Sequence, residues 1–293
     1  LGISQKQQNT TPLFWHKEAL RLPEMLTNST SGFGVITVAD HTSTRTFSLD
    51  SLLTFLYCLV VGLIPLAVRV RDVHYPSPLT TWAVLPAGRY FDAFAFFRLE
   101  LLVVITGAIV IVVLLKLYYE SDRLLDHGIY LHRPMVAFSC LVAVATLANP
   151  YPNIAFWGAY QRYEGAVAYF CYLFLFIGAA VFLKKDRQKR AVFFVILAAG
   201  LIHALIGISQ FFGFDPLQVD LVQRVYIPSE YLSLFKEEGG IKFQFAHKAY
   251  GLTYNPNYFG GLMAMLFPVA LVLFLYARST LGLMASFLAV GTL

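Results

Sequence analysis

The chain has 293 residues, of which 58% are hydrophobic and 13% are charged, and its formal net charge is +5. This composition excludes an ordinary soluble domain, because apolar stretches of roughly 20 residues recur, each long enough to cross a bilayer as a helix. The excess positive charge is concentrated in one short loop, so it indicates membrane topology and not a nucleic-acid partner. We therefore predict an all-α fold, a polytopic transmembrane helix bundle embedded in a lipid bilayer.

The N-terminal segment, residues 1–50, is polar and rich in Ser and Thr, and it lacks a signal-peptide pattern, so we predict that it is poorly ordered or peripheral. Residues 51–293 form the predicted transmembrane domain. The six to seven predicted spans cover residues 51–69, 96–118, 134–149, 165–183, 191–212 and 258–276, and a seventh begins near residue 280. Because the chain starts at Leu1 instead of Met and stops at Leu293 within an apolar run, we expect an N-terminal fragment of a bundle truncated at its C-terminus.

The loop "KKDRQKR", residues 184–190, carries five basic residues and one acidic residue between two apolar runs. The positive-inside rule places such a loop on the cytoplasmic side of the membrane. Because each span takes the chain to the other side of the membrane, residues 70–95, 150–164 and 213–257 are then predicted to be outer loops. The last of these, about 45 residues long, is too apolar for disorder, so we expect it to fold against the bundle with a short interfacial helix near Ser229–Lys236.

The first candidate anion site lies in "WGAYQRYEGAVAYF", at the start of the predicted fourth span. Arg162 precedes that span, and Glu164 is expected in its first helical turn, where a carboxylate suits the helix dipole. An arginine keeps its charge and can hold a phosphate by two hydrogen bonds. The alternative is that both residues anchor the span at the headgroup level within an aromatic belt of Trp157, Tyr160 and Tyr163.

The second candidate lies in "FAHKAYGLTYNPNY", before the predicted sixth span. Asn257 is expected to be the N-cap of that span, and Pro256 is expected to prevent the helix from extending further back. The simpler interpretation is a helix start and nothing more. The sharper one is that the positive end of the helix dipole faces outward beside Lys248 and His247, which would favour binding of an anion.

Other polar residues of the spans are weaker candidates. His203 lies within an apolar helix, where a lone histidine is more often a hydrogen-bonded packing residue than a functional one. Arg98 and Glu100 are two positions apart and so face different sides of a helix. No metal-ligand cluster or nucleotide loop is visible in the sequence, so we expect neither a metal ion nor a cofactor.

Taken together, "WGAYQRYEG", "GISQFFGFDP" and "YGLTYNPNYFGGLMAMLFPVAL" resemble the motifs of the O-antigen ligase and O-antigen polymerase family of bacterial membrane proteins, both in order and in position relative to the spans. The resemblance covers roughly residues 90–276. It implies a multi-pass glycosyltransferase of the bacterial cytoplasmic membrane that works in cell-surface polysaccharide biosynthesis. Such an enzyme uses a polyprenyl-diphosphate-linked glycan as donor and a glycan or glycolipid as acceptor, on the outer face and without a metal ion.

The resemblance also implies roles for individual residues. Arg162 matches the arginine of the first motif and would contact the donor diphosphate. Lys248 stands where many members carry an arginine and would be the second diphosphate contact. The residues that would shape the site are Glu164, Gly165, His247, Tyr250, Gly251, Asn255 and Asn257. The catalytic base is unknown and would come from the family's later half, so we expect the fragment alone to be inactive.

Two other functions remain open. A transporter or flippase for a lipid-linked glycan would bind the same diphosphate with the same cations and without chemistry, and a discontinuous helix near the midplane would favour it. A membrane scaffold subunit would use these residues only to anchor its helices at the level of the lipid headgroups. The glycosyltransferase predicts that Arg162 and Lys248 converge on the outer side, whereas the scaffold predicts no outward cleft between the fourth and sixth spans.

Overall fold

The computed structural model describes residues 48–74, 89–120, 132–237, 248–253 and 255–275. Its elements in chain order are α1 (Leu49–Leu66), β1 (Arg71–His74), β2 (Arg89–Asp92), α2 (Ala95–Glu120), α3 (His132–Leu147), α4 (Pro152–Trp157), α5 (Ala166–Phe182), α6 (Asp186–Phe211), a short 3-10 turn (Pro216–Gln218), α7 (Asp220–Tyr226), α8 (Ser229–Glu237) and α9 (Pro256–Leu275). Residues 48–50 of the predicted polar segment cap and begin α1. The rest of that segment and the predicted seventh span lie outside the described residues.

Three helices of the described part are long and apolar enough to cross a membrane: α1, α2 and α6, with mean hydropathies of 2.0, 2.7 and 2.6. Shorter apolar helices, α3, α5 and α9, occupy the places of the predicted third, fourth and sixth spans. The prediction of a helical membrane protein is thus supported, and the number of six to seven spans stays a prediction. Large apolar side chains such as Val104, Ile111 and Phe194 are exposed, as expected for contact with lipid.

A pair of short antiparallel strands, which the sequence did not predict, is present beside the helices. β1 and β2 pair with Arg71 opposite Asp92 and His74 opposite Arg89. Both strands are four residues long and lie in the predicted outer loop 70–95. So short an alternation gives no distinct sequence signal next to long apolar runs. The hairpin is a small addition to a bundle that is otherwise helical in the described residues.

Helix α1 lies between two of the long helices. It contacts α2 and α6, while α2 also packs against α5, and α9 lies against α6. The core that α1, α2 and α5 share consists of Leu53, Leu56, Tyr57, Ile105, Ile109, Val112 and Phe182. Gly178 of α5 allows the Tyr57 ring to approach, since a Cβ at this glycine would lie 2.3 Å from the phenol oxygen. Small residues let membrane helices come close in lipid, where apolar burial alone gives little driving force.

One end of the bundle, called the basic end below, contains the start of α1, the end of α2 and the loop before α6. Asp50 accepts hydrogen bonds from Lys116 and Lys185, and Gln188 Nε2 donates to Thr54 Oγ1 at 3.0 Å. The Lys116 side chain is only 8% exposed, so its charge needs the carboxylate of Asp50 beside it. These contacts fix the basic loop to the first two helices.

The opposite end, called the loop end below, brings together the described parts of the three predicted outer loops. The Val70 amide donates to the Tyr226 carbonyl at 2.8 Å, and the Tyr160 hydroxyl donates to the Phe91 carbonyl at 2.8 Å. α8 lies in the third of these loops and confirms the helix predicted near Ser229–Lys236. The loops therefore meet at the end of the bundle opposite the basic loop, in the arrangement expected from the sequence.

Candidate functional site

A cavity of about 580 Å³ lies at the loop end. Helices α1, α2, α5, α8 and α9 contribute to its wall, together with β2 and the turn before α5. Its charged and hydroxyl-bearing lining residues are Asp92, Arg98, Arg162, Tyr163, Glu164, Tyr172, Thr253 and Tyr258. A concave, largely apolar surface with a few convergent polar groups is the usual form of a ligand site. The scaffold hypothesis predicts no outward cleft between the segments that correspond to α5 and α9. Both helices contribute to this cavity, and the side of the membrane on which it opens stays a prediction.

Arg162 lies on a strained turn that joins α4 to α5. Its neighbours Gln161 and Tyr163 have φ angles of 67° and 49° although neither is a glycine, a conformation that costs about 1–2 kcal/mol per residue. The amides of Arg162 and Tyr163 both donate to the Ala159 carbonyl, at 3.0 and 2.8 Å. The buried Tyr163 ring packs on Phe96 with their centroids 5.3 Å apart. This anchor holds the turn so that Arg162 is exposed and lines the cavity.

Two glycines close the base of this turn. Gly165 is the N-cap of α5, and a Cβ on it would lie 2.4 Å from the amide nitrogen of Gly158. A Cβ on Gly158, where φ is 94°, would lie 2.3 Å from the amide nitrogen of Glu164. The helix starts at Ala166, so Glu164 lies one residue before the cap. The prediction that Glu164 occupies the first helical turn is therefore wrong, because the close contact of the two glycines keeps it in the turn.

The start of α9 is capped by Asn255 and not, as predicted, by Asn257. The Oδ1 atom of Asn255 accepts the Asn257 amide at 2.8 Å, and its carbonyl accepts the Phe259 amide at 3.1 Å. Pro256 therefore occupies the first position of the helix, where its fixed φ is already helical and its missing N–H would have had no partner. Asn257 lies exposed in the first turn of α9.

Polar side chains of α6 hold the turn Tyr250–Thr253 that leads to this cap. Gln210 Oε1 accepts the amides of Tyr250 and Gly251 at 3.0 and 2.8 Å, and Gln210 Nε2 donates to the Gly251 carbonyl at 3.1 Å. Gly251 has a φ of 54°, and a Cβ there would lie 3.0 Å from His203 Nδ1. Tyr250 and Gly251, both predicted to shape the site, are thus buried residues that support the start of α9.

His203 is fully buried and links α1 to the same turn. Its Nδ1 accepts the Leu252 amide at 3.2 Å, so the ring is the neutral tautomer that carries its proton on Nε2. That Nε2 lies 3.2 Å from the Pro65 carbonyl and donates to it. The packing role expected for a lone histidine in an apolar helix is confirmed.

Asp215, in the segment "GFDP", completes the support of the turn. Its Oδ2 accepts the hydroxyl of Tyr250, and its Oδ1 accepts Gln210 Nε2 at 3.2 Å and the Leu217 amide at 3.1 Å. Burial and the adjacent carboxylate raise the pKa of the Tyr250 phenol far above its usual value, so this hydroxyl remains a donor at physiological pH. The segments "GISQFFGFDP" and "YGLT" therefore form one hydrogen-bonded unit.

Arg98 lines the cavity, although the sequence analysis gave it no role in the site. Its Nε donates to the Ala67 carbonyl at 2.9 Å and its Nη2 to the Leu252 carbonyl at 2.6 Å. The guanidinium also lies 5.9 Å from the centroid of the Phe94 ring, within the range of a cation–π contact. The sequence signal for this residue was a charge at the edge of a long apolar run.

Asp92 is the second lining residue that the sequence analysis did not identify. Its Oδ1 accepts the amides of Phe94, Ala95 and Phe96 at 3.0, 2.7 and 2.9 Å, so it caps α2. Burial raises the pKa of Asp92, against the opposing effects of these amides and of Arg98. Asp92 thus places a titratable carboxyl in the wall of the cavity.

The comparisons with other proteins give no relative to set beside this geometry. No protein-family model, curated protein or solved structure matches the chain. The resemblance to O-antigen ligases and polymerases therefore stays a prediction. In the described ranges, no three His, Cys, Asp or Glu side chains are grouped so that they could hold a metal ion.

The cavity unites only part of the predicted site. Arg162 and Glu164 line it, and both are exposed. Lys248 is also exposed but is not among the described residues that form the wall, and His247 lies outside the described residues. The convergence of Arg162 with Lys248 thus stays a prediction. Within the described part of the chain, Arg98 is the cation that lines the cavity together with Arg162.

Proposed function

We propose that the protein is a membrane glycosyltransferase of the O-antigen ligase or polymerase type. It would move a glycan from a polyprenyl-diphosphate carrier to a glycan or glycolipid acceptor, in the synthesis of bacterial cell-surface polysaccharide. The observation that carries the proposal is that the turn of Arg162 and the start of α9 line one cavity, and these are the two segments that the resemblance assigns to one site. Apolar walls beside charged groups suit a donor that joins a lipid chain to a diphosphate.

The proposed orientation follows from charge. The basic end carries the five cationic residues of the loop 184–190, and the positive-inside rule assigns such a loop to the cytoplasm. The loop end and its cavity would then open on the outer face of the cytoplasmic membrane. A lipid-linked donor in the outer leaflet could enter the cavity from that side.

Glycan transfer requires one bond to form and another to break. The acceptor hydroxyl oxygen attacks the anomeric carbon, the bond from that carbon to the diphosphate breaks, and the diphosphate leaves with the electron pair. The hydroxyl proton passes to a base, which the proposal does not assign to a residue of this chain. Arg162 supplies the positive charge that stabilises the departing diphosphate, and its planar group can donate two hydrogen bonds to a phosphate.

The variant Arg162→Ala tests this function in the host cell. With the variant as the sole copy, we expect glycan transfer, measured as labelled polysaccharide at the cell surface, to fall about 100- to 1,000-fold, the usual effect of losing one transition-state contact. The amount of protein in the membrane should not change. Arg187→Ala is the matched control, because it removes an exposed arginine from the basic end. Wild-type transfer by Arg162→Ala would refute the assignment.

A reconstituted system separates the glycosyltransferase from a transporter. The purified protein is placed in vesicles that contain a fluorescent lipid-linked glycan, with or without an acceptor. The glycosyltransferase predicts product that requires the acceptor and no movement of the donor between leaflets. Movement of the donor without product would replace the proposal by the transporter.

A further inference from the structure

Arg98 makes no direct ion pair with a carboxylate of the described residues, although the charge of Asp92 is near enough for the two side chains to affect each other electrostatically. A guanidinium has five N–H donors, and the carbonyls of Ala67 and Leu252 each accept one of them. Three donors therefore remain on a side chain that lines the cavity. A charge in a helix that can cross a membrane is costly unless something compensates it.

Asp92 is the acidic group of the cavity wall that interacts electrostatically with Arg98, and it does so without a direct ion pair. Asp92 uses its Oδ1 atom to cap α2 and is itself buried. Glu164 is exposed on the turn before α5. Arg162 adds a second positive charge to the same wall. An anionic ligand in the cavity would supply the direct ion pair that Arg98 lacks, and two guanidinium groups suit a phosphate or diphosphate.

Arg98 is also joined to the start of α9. Its Nη2 donates to the Leu252 carbonyl at 2.6 Å, while the Leu252 amide donates to His203. A ligand that fixes the guanidinium would therefore also restrict the turn Tyr250–Thr253. By linkage, a well-ordered turn would in return favour binding of that ligand.

We propose that Arg98 binds the phosphate of an isoprenoid diphosphate together with Arg162, and couples this binding to the order of the turn Tyr250–Thr253. The inference rests on the proposed function and deepens it. It gives Arg98 the role of second phosphate contact, which the resemblance assigned to Lys248. It also gives the hydrogen-bonded turn a role in sensing whether the cavity is filled.

Farnesyl diphosphate is a suitable probe, because it carries the proposed diphosphate on a short isoprenoid chain. Binding is measured by calorimetry with the purified protein in detergent, beside inorganic diphosphate and uncharged farnesol. We expect Arg98→Gln to weaken farnesyl diphosphate binding about 10- to 100-fold, as for a lost hydrogen bond to a charged group, and Arg98→Lys to weaken it less. The matched control Arg69→Gln removes an arginine that lies over Phe97 and does not line the cavity, so its affinity should match the wild type.

The three probes separate a ligand contact from a structural role. A structural defect would weaken farnesol and farnesyl diphosphate alike, whereas loss of a phosphate contact weakens only the charged probe. Equal binding of inorganic diphosphate and farnesyl diphosphate would identify the free anion as the ligand and overturn the isoprenoid class. Wild-type affinity for farnesyl diphosphate in Arg98→Gln would overturn the phosphate contact, even if Arg162→Ala abolishes glycan transfer and so leaves the proposed function intact.

Hydrogen exchange on the unmodified protein tests the coupling without any variant. Saturating farnesyl diphosphate should slow exchange of the amides of Tyr250, Gly251 and Leu252 by about tenfold or more, and farnesol should not. The amides of α3, which does not line the cavity, serve as the internal control. Unchanged exchange in the turn at saturation would overturn the coupling, and this result would not depend on whether an Arg98 variant folds.

Discussion

Replacing Gln210 by leucine tests whether the turn before α9 depends on this one side chain. Gln210 is 3% exposed and makes hydrogen bonds to the amides of Tyr250 and Gly251, to the Gly251 carbonyl and to Asp215. Leucine fills a similar volume but leaves two amides and one carbonyl of the backbone without these partners. Each unsatisfied buried group costs about 1–3 kcal/mol. The turn should therefore lose about 3 kcal/mol if water reaches it, and more if water does not.

Hydrogen exchange with mass spectrometry measures this loss locally in the purified protein. A loss of about 3 kcal/mol lowers the protection of the turn amides by roughly 100-fold, since about 1.4 kcal/mol corresponds to a factor of ten. Gln223→Leu is the control, because its Nε2 only reaches the Gln218 carbonyl at 3.5 Å on the surface. Equal protection of the turn in Gln210→Leu and in the wild type would refute the reasoning.

Three further predictions concern the helix starts. Asn255→Ala should lower the free energy of unfolding by about 1 kcal/mol through loss of the α9 cap, and Asn257→Ala should lower it by less than about 0.5 kcal/mol. Thermal unfolding measures both, and a larger effect of Asn257→Ala would show that Asn257 is the cap. Gly165→Ala should lower stability by roughly 1–3 kcal/mol, because a Cβ there would lie 2.4 Å from Gly158 N, and a stable variant would show that the turn can open. Asp92→Asn keeps the cap of α2 but cannot ionise. Because burial raises the pKa of Asp92 from 3.8, the protonated carboxyl adds to the free energy of unfolding below pH 3.8, and this contribution is lost as pH rises through the raised pKa. Unfolding curves of the variant should lack this loss.

Local patterns predicted those features whose cause lies within a few residues. The long apolar runs predicted the helices that can cross a membrane, and the apolar content of the third outer loop predicted α8. The charge pattern separated the basic loop from the loops of the opposite end. The cap of α9 was also a local feature, and the prediction of Asn257 was wrong because Pro256 was interpreted as a barrier instead of as the first residue of the helix.

The residues of the cavity wall could not be predicted from local patterns, because contacts between distant parts of the chain bring them together. Arg98 donates to the carbonyl of Leu252, and Gln210 binds the backbone of Gly251. Hydrogen bonds to backbone atoms leave no complementary residue type at the other end, so no sequence pattern reveals the partner. The strain around Arg162 was equally hidden, because residues that adopt positive φ without being glycine are chosen by their surroundings.

The packing of α1 against α6 has a consequence for the synthesis of the protein. Helix α1 leaves the ribosome long before α6 does, so one of its main packing surfaces stays unfilled while the helices between them are being made. Over that interval Asp50 has Lys116 available but not yet Lys185. We therefore expect α1 to reach its final packing only after the basic loop and α6 have been inserted. A nascent chain arrested before α6 should therefore be cleaved faster by added protease than one that includes α6.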